Sequence, residues 1–387
     1  MIAFAAKSLY TPHTVIDQPL VLIEDGGIAR IGPRGELEVP ANTAVTDFGD
    51  CILAPGFVDI HIHGAAGHDV MQPASGGRSE MERFLVHCGV TSYYPTTVTA
   101  PVDKLLSALE HLATAIESAS NNKAGNRRAQ ALGIHLEGPF LSHARRGVHP
   151  PGDLLAPSIN VFDKLWQAAR GHIHLMTIAP ELDGAFEVIA EANKRGVCVS
   201  LGHSDADLNA AHMSVAAGAR HATHTFNAMR PLDHREPGIL GEILSNSRLT
   251  ADVIADGIHV HPTMIEVLFS AKSPENMVLI TDGISATGMP DGRYQLGSLE
   301  VELKDGKCMR DGKLAGSVLT MDRAVRNCMQ FAHLDLQQSV RTATLNPAQV
   351  AGAHKKGILE PGADADFAVL TAGGEVQATV VRGVVVE

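Results

Sequence analysis

The sequence has no Cys-x-x-Cys pair, and its five cysteines, Cys51, Cys88, Cys198, Cys308 and Cys328, are odd in number and far apart. That pattern speaks against a disulfide framework and reads as buried thiols in a reducing compartment, with the cytoplasm as the expected location. No window approaches the roughly 20 apolar residues that span a bilayer. The short apolar stretch 2–6 ends at Lys7, with no basic leader before it and no longer run after it, so neither a signal peptide nor a membrane anchor is expected. An excess of positive charge is missing too. The formal net charge is −12, which argues against a nucleic-acid or anionic-membrane partner. Any anionic substrate must therefore be met by locally placed Arg, Lys or His. Internal repeats and low-complexity segments are absent; residues 121–128 read as an exposed loop.

What is present is ample core material: 45% of the 387 residues are hydrophobic. Both ends of the chain carry short β-like runs, at 20–24, 28–32 and 51–53 and again at 366–370 and 376–386, punctuated by Gly and Pro. Such ends are expected to pair as one small discontinuous β-sandwich domain, formed by residues 1–54 and 356–387. Between them, short apolar runs alternate with longer amphipathic stretches, the pattern of βα units and a parallel sheet. Strands are expected at 57–62, 91–94, 132–136, 174–178, 197–201, 221–224, 249–254 and 278–281. Helices are expected at 80–87, 102–118, 159–170, 185–195, 206–217 and 262–270. Eight such units predict an α/β fold, a (β/α)₈ TIM-type barrel over 55–355, whose reactive residues gather at the strand C-termini. After the eighth strand, residues 294–309 form an insert in which Leu303-Lys-Asp-Gly-Lys307 reads as a hairpin with a two-residue Asp-Gly turn. Two positions are open to it, over the barrel mouth or against the terminal β-domain.

The chemistry begins at His61-Ile62-His63. Side chains alternate along a strand, so two imidazoles at i and i+2 share a face and can grip one divalent ion. In a chain with 20 histidines one such pair is weak evidence by itself. Further polar residues, however, end other expected strands: Glu137 the third, His203 the fifth, His224 the sixth and Asp282 the eighth. The barrel register turns all six toward one mouth. Glu137, His203 and His224 supply three ligands, the count of an open catalytic site for Zn²⁺ or a similar divalent ion. His61 and His63, with Glu137 bridging, could hold a second, giving one or two ions per subunit. Because such an ion lowers the pKa of bound water to about 7, hydrolysis is the expected reaction class. Asp282 is the candidate for taking the proton from water and delivering it to the departing nitrogen.

Taken in order, Pro55-Gly-Phe-Val-Asp-Ile-His-Ile-His-Gly64, His135-Leu-Glu-Gly-Pro-Phe140, Leu201-Gly-His-Ser204, His224-Thr-Phe-Asn-Ala-Met229, Arg235-Glu-Pro-Gly238, Asp256-Gly-Ile-His259 and Thr281-Asp-Gly283 resemble the N-acetylglucosamine-6-phosphate deacetylase family of the amidohydrolase superfamily. The resemblance covers essentially the whole chain. It implies a metal-dependent hydrolase that removes acetate from N-acetylglucosamine 6-phosphate, with Glu137, His203 and His224 on the metal and Asp282 as acid and base. Some family members lack the strand-one histidine pair, so His61 and His63 imply a two-metal site. Many amidohydrolases bridge their ions with a carboxylated lysine on strand four; residues 174–180 contain none, and Glu137 is the expected substitute. The resemblance further implies that His149 lies near the sugar and the amide carbonyl, and that Asn227, Arg235 and His259 surround the sugar phosphate. It implies a homodimer as well, in which the loop carrying Arg235 reaches the neighbouring subunit's site. Rival readings are an amidohydrolase acting on a cyclic amide or amino-purine, and a non-catalytic sugar-phosphate sensor.

The other histidines read more plainly. His13, His87, His111, His172, His212, His333 and His354 are expected on the surface or in polar packing. His135 is expected as a hydrogen-bonded core residue one layer below Glu137. His143, Arg145 and Arg146 read either as a solvated charge run or as help in attracting phosphate.

Overall fold

The computed structural model describes residues 1–11, 13–73, 76–121 and 127–386, so the central part of the expected loop, 122–126, lies outside the described residues. Eight strands occupy the middle of the chain: β1 (Phe57–Ile62), β2 (Val90–Pro95), β3 (Ile134–Glu137), β4 (Ile173–Ile178), β5 (Cys198–Leu201), β6 (His221–Ala222), β7 (Ala251–Ile254) and β8 (Met277–Ile280). All their pairings are parallel, in three ladders: β1 with β2, β3 through β6 in order, and β7 with β8. Single backbone bonds join one ladder to the next. Thr97 N donates to His135 O, Ala222 N to Thr250 O, Thr225 N to Asp252 O and Asp282 N to His61 O, all at 2.9–3.0 Å. Hydrogen bonds thus pass from each strand to the next, and from the eighth back to the first. These strands read as near-continuous apolar runs such as Met277-Val-Leu-Ile280 because both of their faces are buried.

A helix follows each strand: α1 (Gly76–His87), α2 (Val102–Asn121), α3 (Ile159–Ala168), α4 (Ala185–Lys194), α5 (Leu208–Ala217), α6 (Gly238–Ser245), α7 (Pro262–Lys272) and α8 (Met321–Phe331). Their starts have local causes. The Asp207 side chain accepts from Ala210 N and caps α5, two residues beyond the expected start at 206. Pro262 opens α7 at a position where its missing N–H costs nothing. The sequence reading passed over α6, whose eight residues include two poor helix formers, Gly238 and Gly241. It also passed over α8 and the two short helices Leu336–Thr342 and Leu345–Val350 that follow.

The two ends of the chain do meet. Strand Ile52–Pro55 pairs antiparallel with Phe367–Leu370 inside a six-stranded sheet, and a four-stranded sheet of residues 2–47 shares its apolar cluster. Phe4, Val21 and Ile23 from one sheet touch Leu53, Phe367 and Val380 from the other. Burying each such side chain contributes roughly 1.5–3 kcal/mol.

The insert after β8 is larger than one hairpin. It forms an antiparallel sheet of β9 (Gly292–Leu296), β10 (Leu299–Lys304), β11 (Lys307–Arg310) and β12 (Lys313–Leu314). The Asp-Gly turn is where it was expected: Lys304 pairs with Lys307, and Asp305 and Gly306 have φ of +50° and +73°, as a primed hairpin turn requires. Leu296, Val301, Leu303 and Cys308 pack with Val98 and Ile284. The insert therefore sits over the strand ends and does not join the terminal sheets. No disulfide forms among the described residues, and burial pushes the thiols of Cys198, Cys308 and Cys328 up to about 12.

Candidate active site

Six side chains from five strand ends converge at one point. His61 sits on β1 and His63 directly after it, Glu137 ends β3, and His203, His224 and Asp282 lie in the turns after β5, β6 and β8. Those last three hold φ of +47°, +31° and +50°, a region L-residues enter rarely and in which the chain must be held by its surroundings. Here the restraints are visible. Asp252 accepts the backbone N–H of His224, and Asp282 N is bound to His61 O.

Glu137 lies at the centre. Its Oε1 is 3.1 Å from His224 Nε2, 3.3 Å from His203 Nε2 and 3.5 Å from His61 Nε2, while Oε2 is 3.3 Å from His63 Nε2. Asp282 Oδ1 lies 3.2 Å from His63 Nε2 and 3.5 Å from His61 Nε2. The imidazoles also crowd one another, Nε2 to Nε2, at 3.1 Å for His203 and His224 and 3.2 Å for His61 and His63. Two lone pairs at that separation repel unless positive charge lies between them. An ion with bonds of about 2.0–2.2 Å and tetrahedral angles holds its donors roughly 3.3–3.6 Å apart, close to the spacings here.

The outer nitrogens fix which lone pairs face inward. His63 Nδ1 donates to Thr96 O and His203 Nδ1 to Arg145 O, both at 2.9 Å, so one proton is held outside and Nε2, toward the centre, is the nitrogen free to lose its proton and ligate. His149 is arranged the other way. Its Nδ1 accepts the backbone N–H of Thr99 at 3.3 Å, so in the neutral ring the proton is on Nε2. That nitrogen is 3.6 Å from Glu137 Oε2, among the donors around Glu137 and His203, and Nδ1 also lies 2.9 Å from Thr99 Oγ1. His149 is a hydrogen-bond donor to the pocket.

The electrostatics agree with a cation site. Burial would suppress the charge on His63, yet hydrogen bonds and charge from Asp282 and Glu137 raise it to about 10. His224, likewise buried, is lifted by Glu137 to about 9, while burial carries His203 down to about 4. Burial should raise both carboxyls as well, but His63 and its neighbours hold Asp282 at about 2, and the surrounding imidazoles keep Glu137 well below the usual carboxylate range. The two carboxylates draw protons onto neighbouring imidazoles for want of other positive charge.

Asn227 and His259 line the same cavity, with His63, His149 and Asp282. Asn227 Nδ2 is buried without a protein partner, and His259 is oriented by a 2.6 Å bond from Nδ1 to Asp256. Arg235 is not brought in: it is exposed on the loop before α6 and is absent from the lining. Arg145 is engaged elsewhere, by Asp205 at 2.7 Å, and Arg146 donates to His143 O. His135 is the expected core histidine, with Nδ1 on Ile60 O and Nε2 on Thr177 Oγ1. Of the histidines read as peripheral, His172 is half-buried against Glu117 and the other six are exposed. The sequence reading missed Asp59 and Asp252, buried carboxylates that brace the turns carrying the donors. Their signal was legible, since each is a lone acid inside an apolar strand.

A glycine is needed at one approach. Gly147 holds φ +59°, and a Cβ there would come within 3.3 Å of the His203 ring.

Comparison with known proteins follows the same lines. The Amidohydrolase family model matches residues 52–386. The chain belongs to the amidohydrolase family. Among its relatives, the N-acetylglucosamine-6-phosphate deacetylase of Bos taurus is 40% identical over 87% of this chain and 84% of its own length. An N-acetylgalactosamine-6-phosphate deacetylase of Escherichia coli O157:H7 is 36% identical over 98% of this chain and 97% of its own. A mutant of the N-acetyl-D-glucosamine-6-phosphate deacetylase of Mycobacterium smegmatis, solved in complex with N-acetyl-D-glucosamine-6-phosphate, superimposes with a TM-score of 0.91 at 32% identity, covering 99% of this amidohydrolase and 98% of that chain.

Proposed function

We propose that this amidohydrolase cleaves the acetamide of N-acetylglucosamine 6-phosphate, giving acetate and glucosamine 6-phosphate. One observation carries the reading: the donor cluster around Glu137, with Asp282 beside it and the Nε2–H of His149 facing it, opens on a pocket lined by Asn227 and His259. The names of the relatives support the substrate. A divalent ion, with Zn²⁺ as the choice, would be held by Glu137, His203 and His224, and a second by His61, His63 and Asp282 with Glu137 between; bound there, it supplies Lewis acidity and lowers the pKa of water.

The residues divide the remaining work. Asp282, ionised and adjacent to the donors, takes the proton from the attacking water and returns it to the leaving amine. His149 donates its Nε2–H to the carbonyl oxygen as negative charge develops there. Asn227, with its unpaired amide, and His259 hold the sugar phosphate, joined by Arg235 from the second subunit of a homodimer. The eight strands are read as a closed (β/α)₈ barrel over 55–355, and the terminal sheets as a β-sandwich of 1–54 and 356–387. The described residues contain no helix long and apolar enough to cross a membrane, in keeping with a cytoplasmic enzyme.

Relatives of similar identity carry glucosamine and galactosamine in their names, so epimer choice rests on contacts inside the pocket and not on the fold. The metal-loaded protein is expected to release acetate from N-acetylglucosamine 6-phosphate with a kcat/KM about 10²-fold or more above that for N-acetylglucosamine. Equal rates for the two would favour an amidohydrolase of cyclic amides or amino-purines. No turnover of any acetylated sugar would favour a sensor.

A further inference from the structure

The catalytic cavity contains an electrostatic puzzle. Its lining includes Glu137 and Asp282 but no arginine or lysine, and the whole chain carries a formal charge of −12. The ions proposed above would offset those two carboxylates, but a sugar phosphate, itself a dianion, still approaches a chain that is acidic overall. Immediately beyond the wall formed by Gly147, Val148 and His149 lies a second cavity of about 280 Å³, and its composition is the opposite. Arg146, Arg310 and Lys313 line it against a single acid, Asp311. Three residues are common to both linings, and one of them is the catalytic His149.

The fold orients the two arginines, while Lys313 is exposed at the cavity rim. Val148 packs on the apolar cluster of the insert, so the wall is held between the loop after β3 and the sheet β9–β12. Arg146 uses one terminal nitrogen on His143 O and Arg310 one on Glu300 O at 3.1 Å, which orients both guanidiniums and leaves donors on each uncommitted. Arg310 Nε is 3.5 Å from Asp311, itself highly exposed, a pair that solvent screens heavily. Lys313 pairs with Arg310 in the insert's ladder, and its ammonium makes no ion pair or hydrogen bond among the described residues.

We propose that this cavity is a vestibule that captures the phosphate of the incoming substrate before the sugar enters the catalytic pocket. The proposal rests on the sugar-phosphate reading given above and adds a docking site outside the groups that hold the bound phosphate. A patch of like charge walled by protein raises local ligand concentration and association rate by about 10- to 10³-fold, most strongly at low salt. The insert thus roofs the pocket and also carries two of the three cations that draw substrate to it.

The experiment compares the metal-loaded wild type with the double variant Arg310→Gln/Lys313→Gln. Initial rates are measured on N-acetylglucosamine 6-phosphate and on N-acetylglucosamine, at low and at high ionic strength. Expected for the phosphorylated sugar is a fall in kcat/KM of about 10-fold at low salt, carried by KM, with kcat within twofold and a flatter salt dependence than wild type. The kcat/KM for the unphosphorylated sugar should be nearly unaffected. Arg293→Gln, which removes an exposed charge from the same insert outside the vestibule, is the control for net charge. The vestibule is overturned if the double variant retains wild-type KM for the phosphorylated sugar, if both substrates lose equally, or if Arg293→Gln has the same effect. A wild type that ignores the 6-phosphate would instead overturn the substrate reading itself.

Discussion

The histidines at the strand ends and those one layer below differ in what their nitrogens meet. In the lower layer every ring is closed. His135 gives Nδ1–H to Ile60 O and takes a hydrogen bond from Thr177, whose oxygen is 2.8 Å from Thr223 Oγ1, next in turn to Ser200. His221 is bound to Thr250 on one side and Asp252 on the other. In the upper layer the Nε2 atoms of His61, His63, His203 and His224 face one another or two carboxylates, and no hydroxyl or carbonyl closes them. A histidine satisfied at both nitrogens is a structural part. One whose Nε2 meets only other imidazoles and carboxylates, as all four here do, with His63 and His203 also held by Nδ1, is half of a binding site.

The largest way to sharpen this contrast is to alter the reaction while leaving Glu137, His203 and His224 in place. Asp282→Asn keeps the size of the side chain and removes its capacity to take a proton. kcat is expected to fall by on the order of 10² to 10⁴. The ion held by Glu137, His203 and His224 should remain, measured on the same preparation, while the second ion, which Asp282 helps to hold, should bind more weakly. A variant that lost both ions along with its activity would make Asp282 chiefly a ligand, and the division of roles in the upper layer would fail.

A second test uses the protons that the upper layer holds. His63 at about 10 and His224 at about 9 are protonated in the metal-free protein at neutral pH, and both must deprotonate to ligate. Metal affinity should therefore rise with pH through the neutral range and level off above about 10. Calorimetry at pH 7.5 in buffers of different ionisation enthalpy should show proton release on metal uptake. The stability of the metal-free protein should move in the opposite direction. Both folded values lie above the ordinary 6.5, so their contribution is complete below that pH and is lost as pH climbs to 9–10. Proton-neutral metal uptake would mean that the ring is already bare, and the contrast between layers would lose its electrostatic basis.

The same contrast explains how much could be read from the sequence. Period-two spacing gives the side of a strand, so His61 and His63 were legible as a pair, and eight alternating units gave the end of the sheet at which Glu137, His203, His224 and Asp282 meet. The central strands follow the expected ranges to within about three residues, because their apolar runs are continuous. Spacing carries no information on which ring nitrogen holds a proton. The contrast between His149 and His203 depends on Thr99 N and Arg145 O, backbone groups supplied by distant turns. Helix α6 was missed because it is short and carries Gly238 and Gly241, poor helix formers, although Ile239, Leu240 and Ile243 are buried at helical spacing. Arg235 is exposed and outside the cavity lining, so the role proposed for it rests on a second subunit.

The smallest expected effect lies in the lower layer. Thr177→Val is nearly isosteric, but it removes the hydroxyl between His135 Nε2 and Thr223 Oγ1 and leaves a buried ring nitrogen without its partner. The cost should be about 1–3 kcal/mol of stability. For a chain of 387 residues that is a fall of about 1–4 °C in Tm. Metal affinity and kcat should both remain within a few-fold of wild type, because no nitrogen that faces the donor centre has changed. If metal affinity instead fell by 10-fold or more while stability held, the Thr177–His135 link would be acting on His61, whose ring lies edge-on to His135 with centroids 4.7 Å apart. The lower layer would then be an outer shell of the metal site and not a floor beneath it.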